Sequence, residues 1–257
     1  MPEFCMAERD GHVLTVTMNR PERMNALHSP SHFEMDEIFN DFEKDPDLWV
    51  AIVTGAGDRA FSAGNDLKWQ AEGKKTDPPA SGFAGLAHRF NMQKPIIAAV
   101  NGLAMGGGFE VALACDIIIA AENAFFALPE PRVGLAALAG GLHRLSRQIP
   151  MKQAMGMILT GRRVMAEEGY KLGFVTEVVP EGGALEGARR WAELILECSP
   201  VSIRTSKDVV LRGQQYASAD QAIAAEYQSV VDMRNSLDFI EGPLAFSEKR
   251  APDWKGR

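Results

Sequence analysis

The chain has 257 residues, 46% of them hydrophobic, enough to bury the core of one large domain or of one domain with a small appendage. A formal charge of -7 argues against nucleic acid, where basic patches supply most of the affinity, but leaves room for a local cluster facing an acidic ligand. Three widely spaced cysteines form no CxxC pair, MPEFCMAERDG holds no signal-peptide run, and no apolar stretch reaches bilayer length, so a cytoplasmic protein without membrane attachment is expected.

In chain order, His12 to Asn19 (HVLTVTMN) alternates apolar and polar residues up to Arg20-Pro21 and predicts a half-buried strand. A helix follows, capped by Ser29 or Ser31, with Phe33, Ile38 and Phe42 as its apolar face. His28 and His32 stand four residues apart, but Pro30 lies between them and no third ligand is evident, so no metal site is expected. Leu48 to Gly57 (LWVAIVTGAG) reads as a buried strand closed by glycines. In DRAFSAGNDLK (58–68) a turn at Gly64 leads to Asn65 and Asp66, which open a helix; it is either an ordinary connection or the donor of a backbone N–H near Asn65. EGKKTDPPASGFAG (72–85), rich in Gly, Pro and charge, predicts a mobile loop, a plain surface connection or a lid. Lys94 to Gly102 (KPIIAAVNG) is a further buried strand.

NGLAMGGGFEVALACD (101–116) sets three glycines before a helix that runs through Glu110 to about Ala114. A helix N-terminus offers unpaired N–H groups and a positive dipole end, so this turn either packs tightly or receives charge on a carbonyl oxygen. No Gly-Lys-Ser/Thr follows, and the spacing is not that of a dinucleotide turn. Asp116 to Leu128 supplies one or two strands. Glu130 then sits between two prolines, a stiff mount for proton transfer or simply an exposed acid in a turn.

Beyond Pro150 the spacing turns helical: MKQAMGMILTG up to Gly161, LEGARRWAELILECSP up to Pro200, VSIRTSKDVVLRG, and SADQAIAAEYQSVVDMRNS as one segment. The basic end, AFSEKRAPDWKGR, is a solvated tail or a contact for an anionic ligand. There is no short internal repeat and no G-x-S-x-G elbow. Strands alternating with helices for two thirds of the chain, then helices alone, predict an α/β fold with a helical C-terminal region.

Taken together, RPERMNAL (20–27), AFSAGNDLK (60–68), KPIIAAVNGLAMGGGFEVALACD (94–116), FALPEPRVGL (126–135), LTGRRVMAEEGYKLGFVTEVVP (159–180) and EGPLAFSEKR (241–250) resemble the crotonase superfamily, the enoyl-CoA hydratase/isomerase family, along essentially the whole chain. The resemblance implies a ClpP-like spiral of ββα repeats over residues 1–195 and a helical capping or trimerisation region over 196–257. It also implies a homotrimer or a dimer of trimers. The substrate would be an acyl-CoA thioester, with no separate cofactor and no metal.

In that family two backbone N–H groups hold the thioester oxygen, and they map onto Asn65 and Gly107. Two glutamates match Glu110, which would help to activate water, and Glu130, the main proton donor and acceptor. Arg23, Ala26, Ala60, Ala63 and Lys68 fall in motifs that meet CoA. Phe246 and Lys249 match an F-x-x-K pattern that reaches CoA from a neighbouring subunit. Leu138 replaces the glycine whose backbone helps to orient water in relatives.

The implied activity is enoyl-CoA hydration. The tail and GGGFEVALACD also resemble carnitinyl-CoA dehydratases. Glu110 argues against a double-bond isomerase, and the acidic charge with two retained glutamates argues against a silent or RNA-binding scaffold.

Overall fold

The structure, a computed structural model, describes residues 3–257. Its first strand, β1 (Cys5–Asp10), carries no alternation that would announce it, since only Cys5 is buried. It pairs antiparallel with β2 (Val13–Met18), placing Cys5 opposite Met18. Helix α1 (Ser29–Lys44) follows, and neither expected serine caps it. The Ser29 hydroxyl donates to the Asp77 carbonyl, and that of Ser31 pairs with His28 Nδ1. The buried face is formed by Met35, Ile38, Phe39 and Phe42, whereas Phe33 points outward and is 48% exposed. Withdrawing each such large apolar side chain from water contributes about 1.5–3 kcal/mol.

Three turns of a spiral then follow one pattern. In the first, β3 (Val50–Gly55) leads to β4 (Ala60–Ser62) and the short helix α2 (Leu67–Ala71). In the second, β5 (Ile96–Val100) leads to β6 (Leu103–Met105) and α3 (Gly107–Ala114). In the third, β7 (Ile117–Ala121) leads to β8 (Phe125–Ala127), a 3-10 turn (Glu130–Val133) and α4 (Gly141–Gln148). The first strand of each turn joins one sheet and the second joins another, which divides the expected Asp116–Leu128 run between the two sheets.

After α5 (Met151–Thr160) come β9 (Val164–Met165), α6 (Ala166–Leu172) and β10 (Glu177–Val179). The large sheet has the order β1-β2-β3-β5-β7-β10 and is parallel from β2 onward. The small sheet has the order β4-β6-β8-β9. Because β3, β5 and β7 lie inside a covered sheet, they read as continuous apolar runs, and nearly every residue in them is buried. Helix α7 (Ala184–Leu196) packs across all three.

The remaining helices are α8 (Pro200–Gly213), α9 (Ala219–Ala224), α10 (Gln228–Arg234) and α11 (Leu237–Glu248). The segment expected as one helix is broken between α9 and α10, with Ala225 extended. Tertiary bonds explain the break: Ser229 donates its hydroxyl to Asp208 at 2.7 Å, and Thr205 donates to the Ser229 carbonyl, seating α10 on α8. The basic C-terminus is not a free tail. Arg257 O accepts from Leu237 N–H at 2.8 Å, Gly256 O from Arg204, and Trp254 Nε1 donates to Glu197 O.

Candidate active site

The second ββα turn brings the glycine triplet to the edge of the small sheet. Gly107 opens α3, so its N–H has no acceptor within the helix, and the helix dipole places partial positive charge there. The turn at Gly64 lies directly against it. Gly64 has φ +85°, and a Cβ there would stand 2.7 Å from Gly107 N and 2.6 Å from Met105 O, so only glycine leaves this approach open. The next residue, Asn65, forms a parallel bridge with Leu27: Leu27 N–H donates to Gly64 O and Asp66 N–H to Leu27 O. That pairing turns the N–H of Asn65 itself away from Leu27. Asp66 then caps α2 by accepting from Trp69 N–H. Burial pushes its carboxyl upward, but the Trp69 N–H and Arg20 outweigh this and hold it low.

Two carboxyls meet this corner. Glu110, 3% exposed, lies on the first turn of α3, and its Oε1 accepts the Gly141 N–H at 2.8 Å. Burial pushes it up to about 7, helped by the charge of Glu130 and opposed by the Gly141 and Ala139 N–H groups and by Arg144. Glu130 heads the 3-10 turn, clamped between Pro129 and Pro131. A Cβ on Gly106 would lie 2.9 Å from Glu130 Oε1, so this carboxylate rests on the glycine turn. Glu130 Oε2 is buried without a hydrogen-bond partner among the described residues, and burial raises this carboxyl too. A helix N-terminus with free N–H groups, facing two carboxyls that resist ionisation, can hold an oxyanion and relay protons beside it.

The other sequence-predicted residues divide. Arg23 is exposed in a 3-10 turn, Lys68 is exposed on α2, and Ala26 and Ala60 are buried. Ala63 N–H donates to Met24 O, so residues 23–27 run beside 60–66 and all five positions share this rim. Phe246, on α11 and 87% exposed, and Lys249, at its end, are not brought to it within one chain. Leu138 points outward and its N–H donates to Ala136 O; on this loop it is the Gly141 N–H that bonds Glu110. His28 and His32 are committed elsewhere. His32 Nδ1 accepts the Ala84 N–H, and burial lowers its pKa to about 4. Among the described residues no three His, Cys, Asp or Glu side chains gather as a metal site.

Sequence reading missed several supports. Asn25 holds positive φ, accepts Arg20 N–H, and donates to Ala56 O and Ala60 O; an Asn in RPERMNAL was the available signal, because Asn tolerates the left-handed region. Phe83 closes the back of the turn, its ring lying where a Cβ on Gly107 would need to be. This alters the reading of the 72–85 loop. Residues 72–75 are exposed, but Ala84 and Gly85 are buried and pinned to α1. Trp69 lies edge-on to His28 at 4.7 Å, and Lys74 Nζ stands 4.3 Å above its ring.

The chain is similar to known proteins along its whole length. A family model described as enoyl-CoA hydratase/isomerase matches residues 8–257. A carnitinyl-CoA dehydratase of Escherichia coli (strain K12) is 44% identical, and one of Salmonella typhi 43% identical, each over 100% of both chains. Among solved structures, an enoyl-CoA hydratase from Mycobacterium tuberculosis H37Rv matches with TM-score 0.94 at 36% identity over 100% of both chains. A carnitinyl-CoA hydratase from Mycobacterium avium matches with TM-score 0.79 at 39% identity over 99% of both.

Proposed function

Since the chain belongs to the enoyl-CoA hydratase/isomerase family, a crotonase fold, we propose that it adds water reversibly across the double bond of a 2-enoyl-CoA thioester, giving a 3-hydroxyacyl-CoA. The observation that carries this reading is the pair of glutamates, both raised by burial, set at the free N-terminus of α3. In the proposed reaction the thioester oxygen sits between the N–H groups of Asn65 and Gly107. Ionised Glu110 takes a proton from water as its oxygen bonds to Cβ. Protonated Glu130 delivers a proton to Cα as the enolate collapses. The oxyanion is stabilised only while charge is on that oxygen, which makes the N–H pair a device for the transition state. The chemistry uses no resident cofactor, CoA being part of the substrate.

A second reading, carnitinyl-CoA dehydration, is favoured by the two relatives of that name. Against it, one face of Trp69 at the α2 rim is already covered by the Lys74 ammonium, itself paired with Glu72, so that face is not open to a trimethylammonium group. The test is a panel of enoyl-CoA thioesters, crotonyl and crotonobetainyl among them, followed by loss of the conjugated absorbance. Faster loss with crotonyl supports the first reading and faster loss with crotonobetainyl the second. Absence of hydration across the panel overturns both.

A further inference from the structure

Arg144 is a half-buried cation with no carboxylate at ion-pair distance among the described residues. Its guanidinium bonds backbone instead: Nη2 donates to Ala87 O at 2.6 Å and Nη1 to Ala139 O at 3.5 Å, and Phe90 lies 5.3 Å beneath it. The two carbonyls belong to segments otherwise far apart, the turn after Phe83 and the loop before α4. Gly140 makes room for it. A Cβ there, at φ +109°, would lie 2.1 Å from Nη1. Gly141, the next residue, presents its N–H to Glu110. The two glycines therefore separate a guanidinium from a carboxylate.

We propose that Arg144 is a positioning residue for Glu110, fixing through the Ala139 and Ala87 carbonyls the loop whose Gly141 N–H holds that carboxylate, and supplying the positive field behind it. The proposal rests on the hydratase reading for its kinetic consequence but not for its structural one. The ionisable groups facing Glu110 are Glu130 and Arg144. Strands β4 and β6 and the Phe83–Gly85 turn, which also pack on α3, contain no ionisable residue, and the two others on α4, His143 and Arg147, are exposed to solvent. Arg144 is thus the cation opposing both burial and Glu130.

The sign follows. A nearby cation favours the ionised carboxylate, so losing it raises the Glu110 pKa further and moves the acidic limb of kcat/KM to higher pH. In Arg144→Gln the limb moves up by about half a unit or more. A folded Gln variant whose limb stays at the wild-type position overturns the proposal. Should that variant not fold, Arg144→Lys keeps the charge and loses the fork: turnover falls about tenfold or more with the limb unmoved. Unchanged turnover overturns the proposal. Infrared pH titration of the Glu110 carboxyl, assigned against Glu110→Gln, reads the same shift without turnover. If the wild type hydrates nothing, the hydratase reading fails, and the infrared titration still decides the role of Arg144.

Discussion

Glu110 trades stability for reactivity. Its folded pKa, about 7, stands above the ordinary 4.5, so the folded state binds the proton more tightly. The resulting stabilisation is complete below the unfolded pKa and is lost as pH rises through the folded one, that is, from about 4.5 to about 7. Glu110→Gln removes this decline. At pH 8 the variant is expected to be more stable than wild type, by about 1–3 kcal/mol in urea unfolding, while turnover falls by orders of magnitude. Equal stability of the two proteins at pH 8 would show that the carboxylate is better solvated than its burial indicates. In the proposed reaction the active form has Glu110 ionised and Glu130 protonated, so kcat/KM should be bell-shaped in pH, its two limbs belonging to the pair. A flat acidic side through pH 7 would remove Glu110 from the reaction. From sequence both glutamates were singled out only through the resemblance of their motifs to the family, since the residues alone left Glu130 as readily an exposed acid in a turn. Their partners Gly141 and Arg144 were not legible, since those contacts join residues 31 and more positions apart.

The site depends on elements meeting at glycines. Gly64→Ala sets a Cβ 2.7 Å from Gly107 N in a left-handed backbone, and is expected to cut kcat/KM at least a hundredfold. Near-normal activity in this variant would mean that the two turns do not share one ligand oxygen. At the C-terminal end, Asp238 is the hub that ties α8 to α11. One carboxylate oxygen accepts the Ser199 hydroxyl at 2.8 Å, and the other accepts Lys255 N–H at 2.7 Å and Gly256 N–H at 3.2 Å. Asp238→Ala strands all three donors and should cost about 2–3 kcal/mol in urea unfolding; a loss below about 0.5 kcal/mol would contradict the hub. Neither tie was readable in sequence. The apolar runs of β3, β5 and β7 announced buried strands, but β1 is an edge strand with five exposed side chains, and the α9–α10 break follows from bonds to α8 rather than from a proline or glycine.

Across the whole molecule, α11 exposes Leu237, Phe239, Ile240, Leu244 and Phe246 on one short helix. This surface is where the expected homotrimer, or dimer of trimers, would form, bringing Phe246 and Lys249 to a neighbouring CoA site. Light scattering should give a multiple of the single-chain mass, and Ile240→Asp should lower that mass and weaken CoA binding together. A monomeric wild-type protein, or a mass change with no change in CoA affinity, would separate the C-terminal helix from the site. The expectation of a spiral came from the family resemblance; the spacing of apolar residues by itself predicted only an α/β fold with a helical C-terminal region. The closure of the site was in neither, because Phe83 reaches it from a segment whose composition marks it only as a loop, and Arg144 reaches it from the first turn of α4, which no motif announces.

One of the four tryptophans, Trp69, stands at the rim of this corner between an imidazole and an ammonium. Both neighbours are quenchers of indole emission. A ligand that moved Lys74 aside would therefore brighten and shift the fluorescence of this residue. With Trp49, Trp191 and Trp254 replaced by phenylalanine, the protein would carry its own optical gauge of ligand arrival at this rim, readable with thioesters that never turn over.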